Sequence, residues 1–274
     1  MKTKAILLVT ALALLPVMAN AAGSACNGQE TQLVADGRLL DFDFIPQSGT
    51  LSNPGFYRVD LQAGRSYVIE VRQDFDALNT DFSANGGSIQ VFGPNNSTCT
   101  GPMAVVQPTA NTLAAGSLQD TGAAEPYVPQ NATRYSLITT ANGGGTYRLV
   151  LTNSNATTGR YVSVRVAETT YFSPAYTQNG NYITFYSFFN TTSQPITGTL
   201  TLTPGGAGSP VSTTLAIPAG KNASTNTQAL QAPTGGGTAT FAHNGPPGAL
   251  LITTTVANFS NNYVQPIDFK AVRE

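Results

Sequence analysis

Two runs with period-two alternation of apolar side chains, joined by the polar turn NSNATTG between Gly145 and Val166, are the feature that most constrains this chain. The apolar positions are Tyr147, Leu149, Leu151, Val162, Val164 and Val166. A period of two residues predicts strands that bury one face, and the Asn/Gly-rich turn between the two runs predicts an antiparallel hairpin. A second hairpin is predicted from Phe56–Leu61 and Ser66–Val71, which flank Gly64.

The remaining segments extend this pattern into an all-β fold. Short runs rich in Thr, Val, Tyr and Phe recur between Gly/Pro turns, and the chain has no Trp. Strands at this spacing predict two antiparallel β-sandwiches in tandem, the second of them immunoglobulin-like with about seven strands. The predicted organisation is a signal peptide over 1–21, one sandwich over 22–168 and another over 169–274.

The N-terminal segment has the features of a secretory signal peptide. Lys2 and Lys4 precede an apolar run from Ala5 to Val17, and Ala19-Asn20-Ala21 is an A-x-A cleavage motif. The run is short for a membrane span, although an uncleaved anchor is the alternative. We therefore expect cleavage after Ala21, export to the periplasm or the extracellular space, and no membrane insertion of the mature chain.

Charge is sparse and favours neither nucleic acid nor anionic membranes as a partner. Only 10% of residues are charged, and removal of Lys2 and Lys4 leaves 11 basic against 14 acidic residues, a net charge of −3. Nucleic-acid binding needs a basic surface that this composition lacks.

The two cysteines, Cys26 and Cys99, predict one disulfide. Both belong to the exported part of the chain, where the environment is oxidising. A zinc site would need more ligands than two thiolates and one histidine, and a catalytic thiol would need a partner base.

The run FYRVDLQAGRSYVIEV, then SIQVFGP, then GTYRLVLTNSNATTGRYVSVRV resembles the bacterial pre-peptidase C-terminal (PPC) domain. Ala63-Gly64, Tyr67, Gly145 and Tyr147 occupy the positions of its short motifs. The resemblance covers residues 39 to about 166, with a poor match over 95–131. It implies a jelly-roll-like sandwich that accompanies secreted enzymes or surface modules and is not itself catalytic.

The C-terminal half resembles an uncharacterised sandwich domain of exported bacterial proteins. The segments LTPGGAG, IPAG and HNGPPGA carry this resemblance. It implies a fold and brings no activity with it.

His243, the only histidine, has two interpretations. It could act as a general base or metal ligand, but the chain lacks a G-x-S-x-G motif and further nitrogen or thiolate ligands. The interpretation we prefer is a histidine at a strand end, whose ring bonds the adjoining NGPPG turn.

A calcium site is predicted, as one of two alternatives, in the segment DFDALNTD. Asp74, Asp76, Asn79 and Asp81 place four oxygen ligands within one loop. The spacing departs from an EF-hand, and a solvated Asx-rich turn is the alternative. Some relatives of the resembled family hold structural calcium. No other cofactor is predicted.

Aromatic and acidic residues offer weaker candidates. Tyr171, Tyr176, Tyr182 and Tyr186 could form a stacking platform for sugars, but aromatic residues at alternating strand positions are more often core. Paired acids such as Asp41 and Asp43 are not marked by any hydrolase motif.

These observations predict a secreted, non-catalytic protein that acts as an extracellular or cell-surface interaction module. The partner would be an extracellular protein or a polysaccharide. Two alternatives remain open: an accessory polysaccharide- or protein-binding partner of a secreted hydrolase, and a structural subunit of a surface layer or filament. No catalytic residue is predicted.

Overall fold

The computed structural model describes residues 23, 25–38, 40–45, 54–74, 86–106, 132–139, 142–154 and 159–271. Within these ranges every regular element is a β-strand, which confirms the all-β prediction. The strands are β1 Thr31–Leu33, β2 Leu40–Ile45, β3 Gly55–Leu61, β4 Ser66–Asp74, β5 Gly87–Phe92, β6 Ala104–Val106, β7 Ala132–Ile138, β8 Gly145–Asn153, β9 Arg160–Glu168, β10 Tyr171–Asn179, β11 Tyr182–Asn190, β12 Ile196–Pro204, β13 Val211–Ile217, β14 Asn222–Asn226, β15 Gly235–His243, β16 Leu250–Asn258, β17 Tyr263–Ile267 and β18 Lys270–Ala271.

The first nine strands form two sheets that share one core. The strand orders are β1-β3-β8-β5-β6 and β2-β9-β4-β7, and only the β1–β3 pair is parallel. The orders 3-8-5-6 and 2-9-4-7 are those of a jelly roll, in which successive strands mostly alternate between the two sheets. Tyr57, Val59 and Leu149 from one sheet meet Ile69 and Val164 from the other, all fully buried. The predicted jelly-roll-like sandwich is therefore confirmed.

Both predicted hairpins are wrong. β8 pairs with β3 and β5, whereas β9 pairs with β2 and β4. Likewise β3 pairs with β8 and β4 pairs with β7 and β9. At each of these turns the chain crosses to the opposite sheet, about 10 Å away. Alternation reports which face is buried but not which strand is the neighbour, so it cannot separate a hairpin from a crossing.

Two tyrosine hydroxyls bond the backbone at turns where the chain crosses between the sheets, one at the β3–β4 turn and one at the β7–β8 turn. The Tyr67 hydroxyl accepts a hydrogen bond of 2.9 Å from the backbone N–H of Gln62, at the turn between β3 and β4. The Tyr147 hydroxyl donates to the carbonyl of Gly143, 2.7 Å away, four residues earlier in the chain. A buried tyrosine that bonds nearby backbone fixes a corner in many sandwich folds. These bonds help to hold the chain in the crossing geometry.

The C-terminal strands form one continuous sheet that folds into two layers. β13-β12-β15-β10-β18 forms one layer and β14-β11-β16-β17 the other. The layers join where the last two residues of β10 pair with the first two residues of β11. Gly180 lies in the turn between them, with a φ of +59°. Phe188 of one layer stacks on Phe241 of the other with ring centroids 4.3 Å apart. The β-sandwich prediction is confirmed for this half as well.

Strand positions were predicted better than strand number. About seven strands were predicted after residue 168, and the structure has nine, β10 to β18. Neither β1 nor β14 was predicted. Both missed strands are short and polar and gain their geometry from pairing with a longer neighbour.

Only two residues separate β9 from β10, and they are bonded to the start of β4. The N–H of Thr169 donates to the carbonyl of Ser66 at 2.8 Å, and the hydroxyl of Thr170 accepts from the N–H of Ser66 at 2.9 Å. Both threonines are buried. The division into domains at residue 168 stays a prediction, and the chain at that point is firmly anchored.

Candidate functional site

Cys26 and Cys99 are joined in a disulfide with their Cα atoms 6.0 Å apart, as predicted. The bond ties the segment before β1 to the loop that follows β5. Cys99 has a positive φ of 49°, an unusual conformation for a residue other than glycine.

A buried ion pair reinforces the same connection. Glu30 accepts from Arg148 Nε at 2.5 Å and from the backbone N–H groups of Asn27 and Gly28. Arg148 also donates to the carbonyl of Asn96, three residues before Cys99. Burial alone would raise the pKa of Glu30, but Arg148 and the backbone donors outweigh it and lower the pKa to about 2. This cluster is a structural corner with its carboxylate fully engaged.

His243 lies at the end of β15 and is buried. Its Nδ1 accepts from the backbone N–H of Gly245 at 3.0 Å, which is the turn contact predicted from the sequence. Burial lowers the pKa of His243 to about 4, although the backbone of Thr169 opposes this shift. Tyr171 and Phe241 flank the ring. A neutral imidazole enclosed in this way is part of the core.

Asp43 is a buried acid that the sequence did not single out as unusual. It lies in the first core with no solvent exposure, and its Oδ2 accepts from the hydroxyl of Tyr57 at 2.6 Å. Among the described residues Oδ1 has no hydrogen-bond partner. Burial raises the pKa of Asp43, although the bond from Tyr57 opposes the shift.

The predicted calcium loop lies almost wholly outside the described residues. Asp74 is the last residue of β4, and its side chain lies outside the described part of the structure. Asp76, Asn79 and Asp81 lie outside the described residues altogether. Across the described ranges, no three His, Cys, Asp or Glu side chains come together in a metal-binding group. The calcium site stays a prediction.

The tyrosines considered as a sugar platform are mostly core. Tyr171, Tyr176 and Tyr186 are buried in the second sandwich, and Tyr182 is half-buried against Tyr263. Their positions agree with the interpretation of alternating aromatic residues as core.

A polar cleft of about 470 Å³ opens beside β4 and β9. Its charged lining is largely paired: Arg65 bonds Glu168 at 2.9 Å and lies over the ring of Phe172, and Arg165 bonds Glu70 at 3.0 Å. Pro247 of the second half closes one side. Among the described residues, these pairs engage both arginines of the lining, Arg65 and Arg165.

The most distinctive surface is the outward face of the layer β14-β11-β16-β17. Strand register places the following side chains on it: Ile183, Phe185, Ser187, Phe189, Asn222, Ser224, Asn226, Leu251, Thr253, Thr255, Ala257, Val264 and Pro266. Phe259, just after β16, lies against Phe185 at the same face. We call these residues the outer sheet face. None of them is charged.

Several large apolar side chains of the outer sheet face are open to solvent. Leu251, Val264 and Phe259 are 62%, 68% and 70% exposed. The opposite side of the same strands supplies Tyr186 and Phe188 to the core. An uncharged, partly aromatic sheet face of this kind marks an interaction surface more often than free solvent contact.

The sequence of β11 carries a signal for this surface. The run NYITFYSFFN has apolar residues at consecutive positions, a pattern that predicts a strand buried on both faces. The structure corrects this: Phe188 is buried, but Phe189 is exposed and Phe185 only half-buried. A strand that is apolar on both faces is expected to pack against a neighbour on each face. Within the described residues, only the inner face of β11 is covered.

Comparisons with known proteins add little. No family model matches the sequence, and no curated protein matches it. A solved structure of the exo-β-D-glucosaminidase CsxA is similar to 80% of this chain at 14% identity, with a TM-score of 0.20. The chain spans 25% of that enzyme chain. A score this low bears on neither fold nor activity. Within the described ranges, no helix is long and apolar enough to cross a membrane.

Proposed function

We propose that this protein is a non-catalytic β-sandwich module that is exported and binds a partner through the outer sheet face. The observation that carries the proposal is the exposure of Leu251, Val264 and Phe259 on a face that has no charged side chain. Burial of such surface is the main driving force of protein association. The disulfide supports export, because such bonds persist in oxidising compartments.

The geometry favours a protein partner over a polysaccharide. Phe185 and Phe259 meet at 79° with ring centroids 5.9 Å apart. Sugar rings stack on the flat faces of aromatic side chains, and two perpendicular rings offer no common plane. Apolar side chains such as Leu251 and Val264 instead fit into the irregular apolar surface of another protein.

A binding comparison of three immobilised forms tests the proposal. The forms are the wild type, Val264→Lys on the outer sheet face, and Val34→Lys as the matched control on another surface, where Val34 is 54% exposed. Each is offered a second tagged copy of the chain, purified cell-surface proteins and neutral polysaccharides. We expect a protein to be retained by the wild type and by the control but lost with Val264→Lys.

Two results would contradict the proposal. One is that no protein is retained in a manner that depends on Val264. The other is hydrolysis of an offered polysaccharide that copurifies with the folded chain, which would make the protein an enzyme.

A further inference from the structure

We infer that the partner of the outer sheet face is a second copy of this chain, which docks face to face to form a symmetric dimer. This inference rests on the proposed function and names the partner of the same surface. In such a two-fold arrangement each surface patch meets its own counterpart.

The charge distribution supports self-association. A charged side chain near the centre of a two-fold interface would face its own copy, and like charges so placed repel. The outer sheet face avoids this cost because it has no charged residue. Its polar members, such as Ser187, Thr253 and Thr255, are hydroxyl groups that can both donate and accept hydrogen bonds across a symmetric contact.

The polar and apolar residues are also arranged for a sheet-on-sheet contact. Leu251 pairs with Phe189 at one end of the face, and the exposed Val264 lies at the other beside the buried Ala257. The hydroxyl groups lie between the two ends. The hydroxyls of Ser224 and Ser187 lie 3.3 Å apart in the middle of the face. Two sheets stack face to face at a separation of about 10 Å, with side chains of the two faces interdigitating, as the layers of this sandwich already do.

The area suits a weak but specific dimer. β11 and β16 have nine residues each, and β14 and β17 have five each. With a strand spacing of about 4.8 Å and a rise of about 3.4 Å per residue, the face covers roughly 450 Å² in plan. Because side chains project from the sheet, the accessible area of the face exceeds its area in plan. It therefore approaches the roughly 600 Å² per partner found at the lower limit of specific interfaces. We therefore expect a dissociation constant in the micromolar range.

The edge strand β17 favours face-to-face docking over edge-to-edge docking. β17 is the edge strand of the layer on this side, and it contains Pro266. Proline has no N–H to donate to a further strand and is a common means of protecting a sheet edge. The open edge is thus poorly suited to a filament, while the face beside it is apolar.

Light scattering after size-exclusion chromatography, from about 1 to about 200 μM protein, tests the inference. We expect the wild type and Val34→Lys to convert from monomer to dimer with rising concentration. Val264→Lys and Leu251→Lys should remain monomeric, with a dissociation constant raised at least about tenfold. Circular dichroism checks that each variant is folded, and if Leu251→Lys misfolds, Val264→Lys still decides the question.

A wild type that is monomeric at the highest concentration would overturn the dimer. The proposed function survives that result if another protein is still retained in a Val264-dependent manner, and both fail if none is. A dimer that persists in Val264→Lys and Leu251→Lys would place the interface elsewhere. A monomer that binds neutral polysaccharide through this face would also contradict the inference.

Discussion

At the scale of single residues, the chain places its ionisable groups in three different environments. Glu30 is buried and accepts hydrogen bonds from Arg148, Asn27 and Gly28. His243 is buried as a neutral ring, and Asp43 is buried beside Tyr57. Burial penalises the charged form in every case. The outcome differs because only Glu30 has a cation and several N–H groups to compensate for the lost water.

His243 should make the protein less stable in mild acid. Its pKa is about 4 in the folded state and near 6.5 when unfolded, so the unfolded chain binds the proton more tightly. The free energy of unfolding should therefore fall as the pH drops from about 6.5 towards 4, by on the order of 3 kcal/mol. His243→Asn keeps an acceptor for Gly245 and should lose this slope. Urea unfolding of both forms at several pH values measures the difference, and parallel profiles would contradict it.

Asp43 should have the opposite effect. Its pKa is raised in the folded state, so the folded chain binds the proton more tightly than the unfolded one. Stability is highest below the unfolded pKa and is lost as the pH rises through the raised value. We expect Asp43→Asn to gain stability relative to the wild type with increasing pH, measured by urea unfolding. Asp60→Asn, on the outward side of β3, controls for the loss of one carboxylate from the protein. A gain in stability of Asp43→Asn that does not grow with pH would contradict the prediction.

At the scale of elements, the strands that were predicted to form two hairpins pair with other strands instead. The strands themselves were located to within a few residues, because alternation of apolar and polar side chains is a local property. Pairing was wrong because it depends on where the chain goes after each turn. Gly64, with φ of +69°, permits a tight turn in either case, so the turn chemistry could not decide between them.

An engineered disulfide distinguishes the two topologies. Ser88 and Thr152 are register partners on β5 and β8, and their hydroxyls lie 2.6 Å apart. The pair Ser88→Cys/Thr152→Cys should oxidise readily. The pair Thr152→Cys/Tyr161→Cys, which the hairpin would have placed opposite each other, should stay reduced. Peptide mapping by mass spectrometry without reductant gives the answer, and the reverse result would restore the hairpin.

At the scale of the whole molecule, the native disulfide and the Glu30–Arg148 pair attach the N-terminal segment to the first sandwich. The disulfide closes a loop with a sequence separation of 73. In the chain-entropy model, its removal costs about 4 kcal/mol.

We expect Cys26→Ser/Cys99→Ser to lower the free energy of unfolding by up to that amount while the fold is retained, since Arg148 still bonds Glu30 and Asn96. Chemical unfolding monitored by circular dichroism measures the loss. Arg148→Gln in the disulfide-free background should then cost more than in the wild type. Equal costs would show that the two devices act independently.

The sequence by itself determined the all-β class, the disulfide and the turn contact of His243. These follow from residue type and from spacing within short segments, since apolar alternation, paired cysteines and a polar turn have the same physical meaning wherever they occur. The resemblance to a known domain added the jelly roll, which the strand order confirms.

Only the tertiary structure decided which strands are neighbours and which apolar residues remain exposed. Phe188 and Phe189 are indistinguishable in the sequence, yet one stacks on Phe241 and the other faces solvent. Likewise, only the structure shows that Asp43 is buried and accepts a hydrogen bond from Tyr57. Burial depends on what the second sheet covers, and that is set by contacts between residues far apart in the chain. The outer sheet face, on which the proposed function depends, is therefore a property of the fold.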